Sequence, residues 1–128
     1  MLENILIIEA LLPTITALVQ KAARDRDSVT FNALYALFPK KTPAQQVHAT
    51  LDAACASIAD ASSAIYSVVM VKKDTGLPGD AFFVTFKAIH DAEYISIAGD
   101  IAPLNLTLPQ KQLLVNAEKA RVYVHAQV

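Results

Sequence analysis

The sequence predicts a single, predominantly helical α+β domain with a small β element, and three observations carry that reading. At 128 residues the chain has room for one domain, which can bury roughly two-thirds of the surface its unfolded form exposes. Hydrophobic residues make up 54% and charged residues 18%, with only three glycines, a composition that excludes general disorder and favours helix. Apolar residues recur at intervals of three and four through most of the chain. One stretch, Ile65 to Val71, instead concentrates β-branched and aromatic side chains.

Residues 1–27 form an N-terminal helical segment. Ile5, Ile8, Leu12, Ile15, Val19 and Ala22 make one stripe over residues 2–24, and Leu11 and Leu18 widen it. Pro13 cannot donate to the carbonyl four residues earlier, so the segment either kinks there or splits, and a kink is the expectation. Lys21 to Asp27 is a charged, solvated exit. The widened stripe suits a homodimer or protein-partner interface centred on Leu11 and Leu18.

Residues 28–83 form a second unit. Thr30 is placed to cap a short helix carrying Phe31, Leu34, Tyr35 and Phe38, which Pro39 ends. Thr42-Pro43-Ala44-Gln45 matches a capping box and starts a third helix, with Val47, Leu51, Ala54, Cys55 and Ile58 as its buried stripe. Ile65 to Val71 reads as a strand. The loop from Lys72 to Asp80 is structural: Gly76 and Gly79 permit positive φ or close backbone approach, and Pro78 fixes a φ of about −65°. Phe82 and Phe83 anchor the chain beyond it.

Residues 84–128 form the C-terminal segment. Ala81 to His90 fits strand and helix equally, and Tyr94 to Ile97 is as open. Pro103 and Pro109 bracket a loop. Helical spacing returns from Gln110 to His125, at Leu113, Leu114, Ala117, Arg121 and Val124, with a β-like finish.

Composition narrows the function classes. Eleven basic residues against twelve acidic ones give a formal charge of −1, so any nucleic-acid contact needs a local patch. Cys55 is the only cysteine, which rules out an intramolecular disulfide and a cysteine-based zinc site within one chain, and it suits a reducing cytoplasm. The N-terminal apolar run carries Glu9 and Pro13 and is too short for a bilayer span, so no membrane partner is expected. There is no P-loop and no nucleophile paired with a base, so neither an enzyme nor a bound cofactor or metal is expected. His48 and Asp52, four apart, can pair on one helical face but nominate no third metal ligand. His90, Asp91 and Glu93 read as solvated surface, and His125 has no inferable role.

A short helix, a tight turn, a capped helix, a strand and a loop follow the order of a helix-turn-helix with a wing, which gives a winged-helix-like centre. On that face Lys40, Lys41, Lys72 and Lys73 would meet phosphates, while Gln45, Gln46 and Thr50 would reach base edges. The chain is therefore expected to be a non-enzymatic binding module, DNA-associated through this face, with a protein-binding inhibitor or adaptor as the alternative.

The stretch Ser28 to Phe38 resembles the opening of the winged-helix domain of alkylguanine-DNA alkyltransferases and alkyltransferase-like proteins. Their acceptor-cysteine motif P-C-H-R is absent here, so alkyl transfer is not expected. Val71-Lys-Lys-Asp-Thr-Gly-Leu-Pro-Gly-Asp-Ala-Phe-Phe83, together with Ala117-Glu-Lys-Ala-Arg-Val-Tyr-Val-His125, resembles a family of small, mostly uncharacterised bacterial and phage-associated proteins. That resemblance spans residues 28–125. It implies no reaction, but it suggests a mobile-element inhibitor or adaptor acting on a host defence complex.

Overall fold

Pro13 sits in the first turn of a helix, not in the middle of one. The computed structural model describes residues 7–127, and in it α1 runs Leu12–Arg24, preceded by a 3₁₀ turn at Glu9–Leu11 and an extended Ile8. The expected kinked helix over residues 2–24 is thus corrected. A first-turn proline lacks only an N–H that would have had no intrahelical partner, so starting the helix there avoids the lost hydrogen bond that a kink requires. Residues 2–6, with Ile5 of the predicted stripe, lie outside the described residues.

Ile15, Val19, Ala22 and Ala23 of α1 are buried. They face a core shared with helices Ala44–Ile58 (α3) and Leu108–Ala126 (α6) and with a 3₁₀ turn at Tyr66–Val69. Between α1 and α3, Val29–Thr30 forms β1 and Phe31–Tyr35 forms α2. Thr30 caps α2 as expected, its hydroxyl accepting the Ala33 N–H at 3.2 Å. Leu34 and Phe38 enter the core.

Helix α3 spans Ala44–Ile58, with Pro43 as its N-cap and no side-chain cap. The expected Thr42 capping box does not form. The Thr42 hydroxyl donates to the Pro39 carbonyl at 2.6 Å and closes the preceding turn, in which Lys41 takes a left-handed φ of 69°. A capping box does form at Thr107 and Gln110, where it opens α6, Leu108–Ala126.

The stretch Ile65 to Val71 yields only a two-residue strand, β2 at Met70–Val71, after the 3₁₀ turn. β2 pairs in parallel with β1, Val29 opposite Met70 and Thr30 opposite Val71. With so short a partner, the rest of the β-branched run has no ladder to join. Residues 81–98, left open by their spacing, are helical: α4 is Asp80–Ile89 and α5 is Asp91–Ala98. Gly99, at φ +79°, ends α5, and the buried Tyr94 donates its hydroxyl to the Ile101 carbonyl at 2.6 Å.

Helix α6 continues to Ala126, without the expected β-like finish. Its buried face is Leu114, Val115, Glu118 and Val122, while Leu113 and Val124 are exposed. Among the described residues no helix is long and apolar enough to cross a membrane.

Candidate functional site

Two concavities lie on either side of Phe31, one acidic and apolar, the other basic. The larger is a cleft of about 740 Å³ between α3, residues 59–67 and the start of α4. Leu51, Ile65, Tyr66 and Phe82 supply its apolar surface, and Ala56, Ala59, Ala61 and Ala64 leave it open. A helix pair normally fills such space with interdigitated side chains; here the alanines provide little volume to do so.

The rim carries Asp52, Asp60 and Asp80, with His48 but no lysine or arginine. Burial raises the Asp52 carboxyl above the ordinary carboxylate range, and only His48 opposes that shift. His48 does not hydrogen-bond Asp52, although the two lie four residues apart. Its Nε2 lies 3.0 Å from the Tyr35 hydroxyl, and its ring packs against Phe31 with centroids 5.5 Å apart.

Cys55 was expected in the core but is half-buried and lines the cleft. Burial, with Asp52 adding to it, pushes its thiol up to about 12. The thiolate is the nucleophilic form, so this shift keeps the reactive form of Cys55 scarce near neutral pH. Among the described residues no group of three or more His, Cys, Asp or Glu is placed to hold a metal ion.

The smaller concavity, about 510 Å³, is lined by Phe31, Asn32, Lys72, Lys73 and Asp74. It lies beside the turn in which the Gly76 N–H donates to Lys72 and the Lys72 N–H donates to Leu77, both at 2.8 Å. Gly76 has φ +69°, as its predicted role requires. Gly79 does not: its φ is −75°, and an added Cβ would meet only the Lys72 Cε, at 3.9 Å. Pro78 is buried and lines the acidic cleft.

Lys40, Lys41 and Gln45 are exposed around the start of α3. Gln46 is half-buried. Thr50 is removed from the predicted DNA face altogether: it is fully buried, its Oγ1 donating to the Gln46 carbonyl at 2.8 Å and accepting the Ile8 N–H at 3.1 Å. Leu11 is half-buried and packed against the core, and Leu18 is half-buried. Neither is one of the strongly exposed apolar side chains, which include Leu104, Leu108 and Val124.

His90 and Glu93 are not the solvated surface that their spacing suggested. Behind the cleft wall, Glu118 is fully buried; its Oε2 accepts the Ile65 N–H at 2.8 Å, and its Oε1 accepts Arg121 Nη2 at 2.7 Å. Arg121 also pairs with Glu93 at 2.8 Å. Partial burial works against the Arg121 charge, but bonding to Glu118 and Glu93 outweighs it, so the guanidinium holds its proton more tightly than usual. His90 Nε2 is buried 3.9 Å from Glu118 without a hydrogen bond. His125, near the C-terminus, has a partner: its Nδ1 lies 2.7 Å from the hydroxyl of Tyr66.

Compared with known proteins, the chain matches no family model, no curated protein and no solved structure.

Proposed function

We propose that the protein is a non-enzymatic binding module that seats apolar side chains of a protein partner in the alanine-walled cleft. The observation that carries this reading is an open apolar cleft of about 740 Å³ formed by three separate stretches of chain. Its volume falls in the range of roughly 300–1,000 Å³ typical of ligand sites. A Cys55 thiol whose thiolate form burial makes scarce favours binding over chemistry there. A lone thiol suits a cytoplasmic setting, and the sequence resemblance suggests an inhibitor or adaptor carried by a mobile element.

A second reading, DNA association, draws on the exposed lysine pairs at 40, 41, 72 and 73 and on the basic concavity beside Phe31. In that reading α2, the turn and α3 act as a helix-turn-helix and the 72–79 loop stands in for a wing. The chain enters α4 after this loop, so the wing would be a turn and not a hairpin. Carboxylates at the mouth of the larger cleft repel phosphate and weigh toward the protein reading.

The two readings separate by variant. Ala56→Phe should fill the cleft, and a partner copurified from the native host by the wild type should then be lost. Lys40, Lys41, Lys72 and Lys73 changed together to alanine should leave that partner bound. The reverse pattern, with duplex binding that weakens steeply as salt rises, would favour DNA.

A further inference from the structure

Resting on the cleft reading, we propose that its occupant is an apolar partner segment bearing a lysine or arginine, whose cation is taken by the rim carboxylates of Asp52 and Asp80. Asp25 pairs with Lys21 at 2.6 Å, Asp91 with Lys87 at 3.3 Å, and Glu93 and Glu118 with Arg121. Among the described residues Glu9, Asp27, Asp52, Asp60, Asp74, Asp80 and Asp100 have no ion pair, and of these Asp52, Asp60 and Asp80 line the cleft, Asp52 and Asp80 without a side-chain hydrogen bond.

Asp80 has a structural role as the first residue of α4, where a carboxylate favours the helix N-terminus. Asp52 has no such role. It lies on the exposed side of α3, mid-helix, where partial burial disfavours its charge and the charge on His48 offsets only part of that cost. Asp60, the third rim carboxylate, is partly satisfied by the Ser62 hydroxyl at 2.9 Å. An arriving cation would complement a rim that holds negative charge on both α3 and α4, while its apolar stem and neighbours would fill the space that the alanines leave. Such complementarity sets partner choice and encounter rate more than raw affinity.

Three helical peptides with the same apolar residues and flanking Lys, Gln or Glu test the proposal against the full chain by fluorescence anisotropy. The Lys peptide should bind at least about tenfold more tightly than the Gln peptide at low salt, and the preference should shrink as ionic strength rises. Asp52→Asn with Asp80→Asn should bring the two within about twofold, with an unchanged circular dichroism spectrum, while Ala56→Phe should weaken all three. Equal binding of the three peptides, or a preference for Glu, would overturn the charge assignment and leave the apolar cleft standing. No binding by any of them at millimolar concentration would count against both. Hexylamine binding as tightly as the Lys peptide would overturn the assignment to a protein segment.

Discussion

The Oε2 of Glu118 accepts the backbone N–H of Ile65 at 2.8 Å, joining α6 to the cleft wall across 53 residues of chain. Ile65 lines the cleft, so the buried carboxylate holds one wall in place from behind. The same carboxylate is held by Arg121, which Glu93 anchors in turn. Position of the wall therefore depends on a charged network whose central carboxylate is fully buried.

Glu118→Ala should leave the Ile65 N–H and much of Arg121 unpaired, a loss of about 3–5 kcal/mol for breaking a buried pair. Glu118→Gln keeps one acceptor oxygen and should cost less, about 1–3 kcal/mol. Urea denaturation of the two variants measures this. Small and equal losses would mean that water replaces the carboxylate and that the wall does not depend on it.

Asp52→Asn should stabilise the fold at neutral pH. Burial raises the folded-state pKa of Asp52, so the folded chain takes up that proton more readily than the unfolded chain. Its contribution is thus favourable below the unfolded value and is lost as pH rises through the raised folded value. The gain at pH 7 should be at most about 1 kcal/mol, because solvent screens a rim carboxylate, and it should vanish near pH 3. If the proposed partner supplies a cation, the same substitution should weaken binding. A lower urea midpoint at pH 7 would show that Asp52 is already compensated within the chain.

The two loop glycines should respond differently. A side chain at Gly76 meets open space but must adopt φ +69°, so Gly76→Val should cost about 1–2 kcal/mol or more. Gly79→Ala, at φ −75°, should stay within about 0.5 kcal/mol of the wild type. Thermal midpoints that fall equally for both would put a close contact, not backbone strain, at the root of the loop's sensitivity.

Local signals with local consequences were legible in the sequence. The Thr30 cap follows from nearest neighbours, as do the helix from residue 44, though with Pro43 and not Thr42 as its N-cap, and the last helix, though it runs on through the expected β-like finish. Glu118 was not legible. Hydrophobic spacing excludes a carboxylate from a buried stripe, so the stripe it gives at Leu113, Leu114, Ala117, Arg121 and Val124 shares only Leu114 with the buried face at 114, 115, 118 and 122. The run at 65–71 forms only a two-residue strand because β propensity needs a partner, and among the described residues only 29–30 offer one. The cleft leaves no mark in the sequence because it is an absence of side chains. Ala56, Ala59, Ala61 and Ala64 interrupt the periodic pattern, and periodicity alone does not distinguish a break in the core from a cavity.

Leu11 and Leu18 are proposed as a self-association surface, and their burial divides the prediction. Leu11 packs on the core, so Leu11→Glu should destabilise the monomer by about 1–3 kcal/mol. Leu18 does not join that cluster, so Leu18→Glu should leave the urea midpoint within about 0.5 kcal/mol while weakening any dimer seen by sedimentation. A wild type that stays monomeric at high concentration would remove the interface, whatever the variants do.

Cys55 offers a readout of the cleft that needs no partner to be identified first. Its thiol is pushed up to about 12 by burial and by the neighbouring Asp52 carboxylate. Alkylation proceeds through the thiolate, so iodoacetamide at pH 7.5 should label the native chain on the order of a hundredfold more slowly than the chain unfolded in urea. Asp52→Asn removes the second contribution and should speed native labelling, while Ala56→Phe or a bound peptide should slow it further by covering the sulfur. Native labelling as fast as in urea would show that Cys55 meets water freely, and the cleft would then be too open to hold an apolar segment.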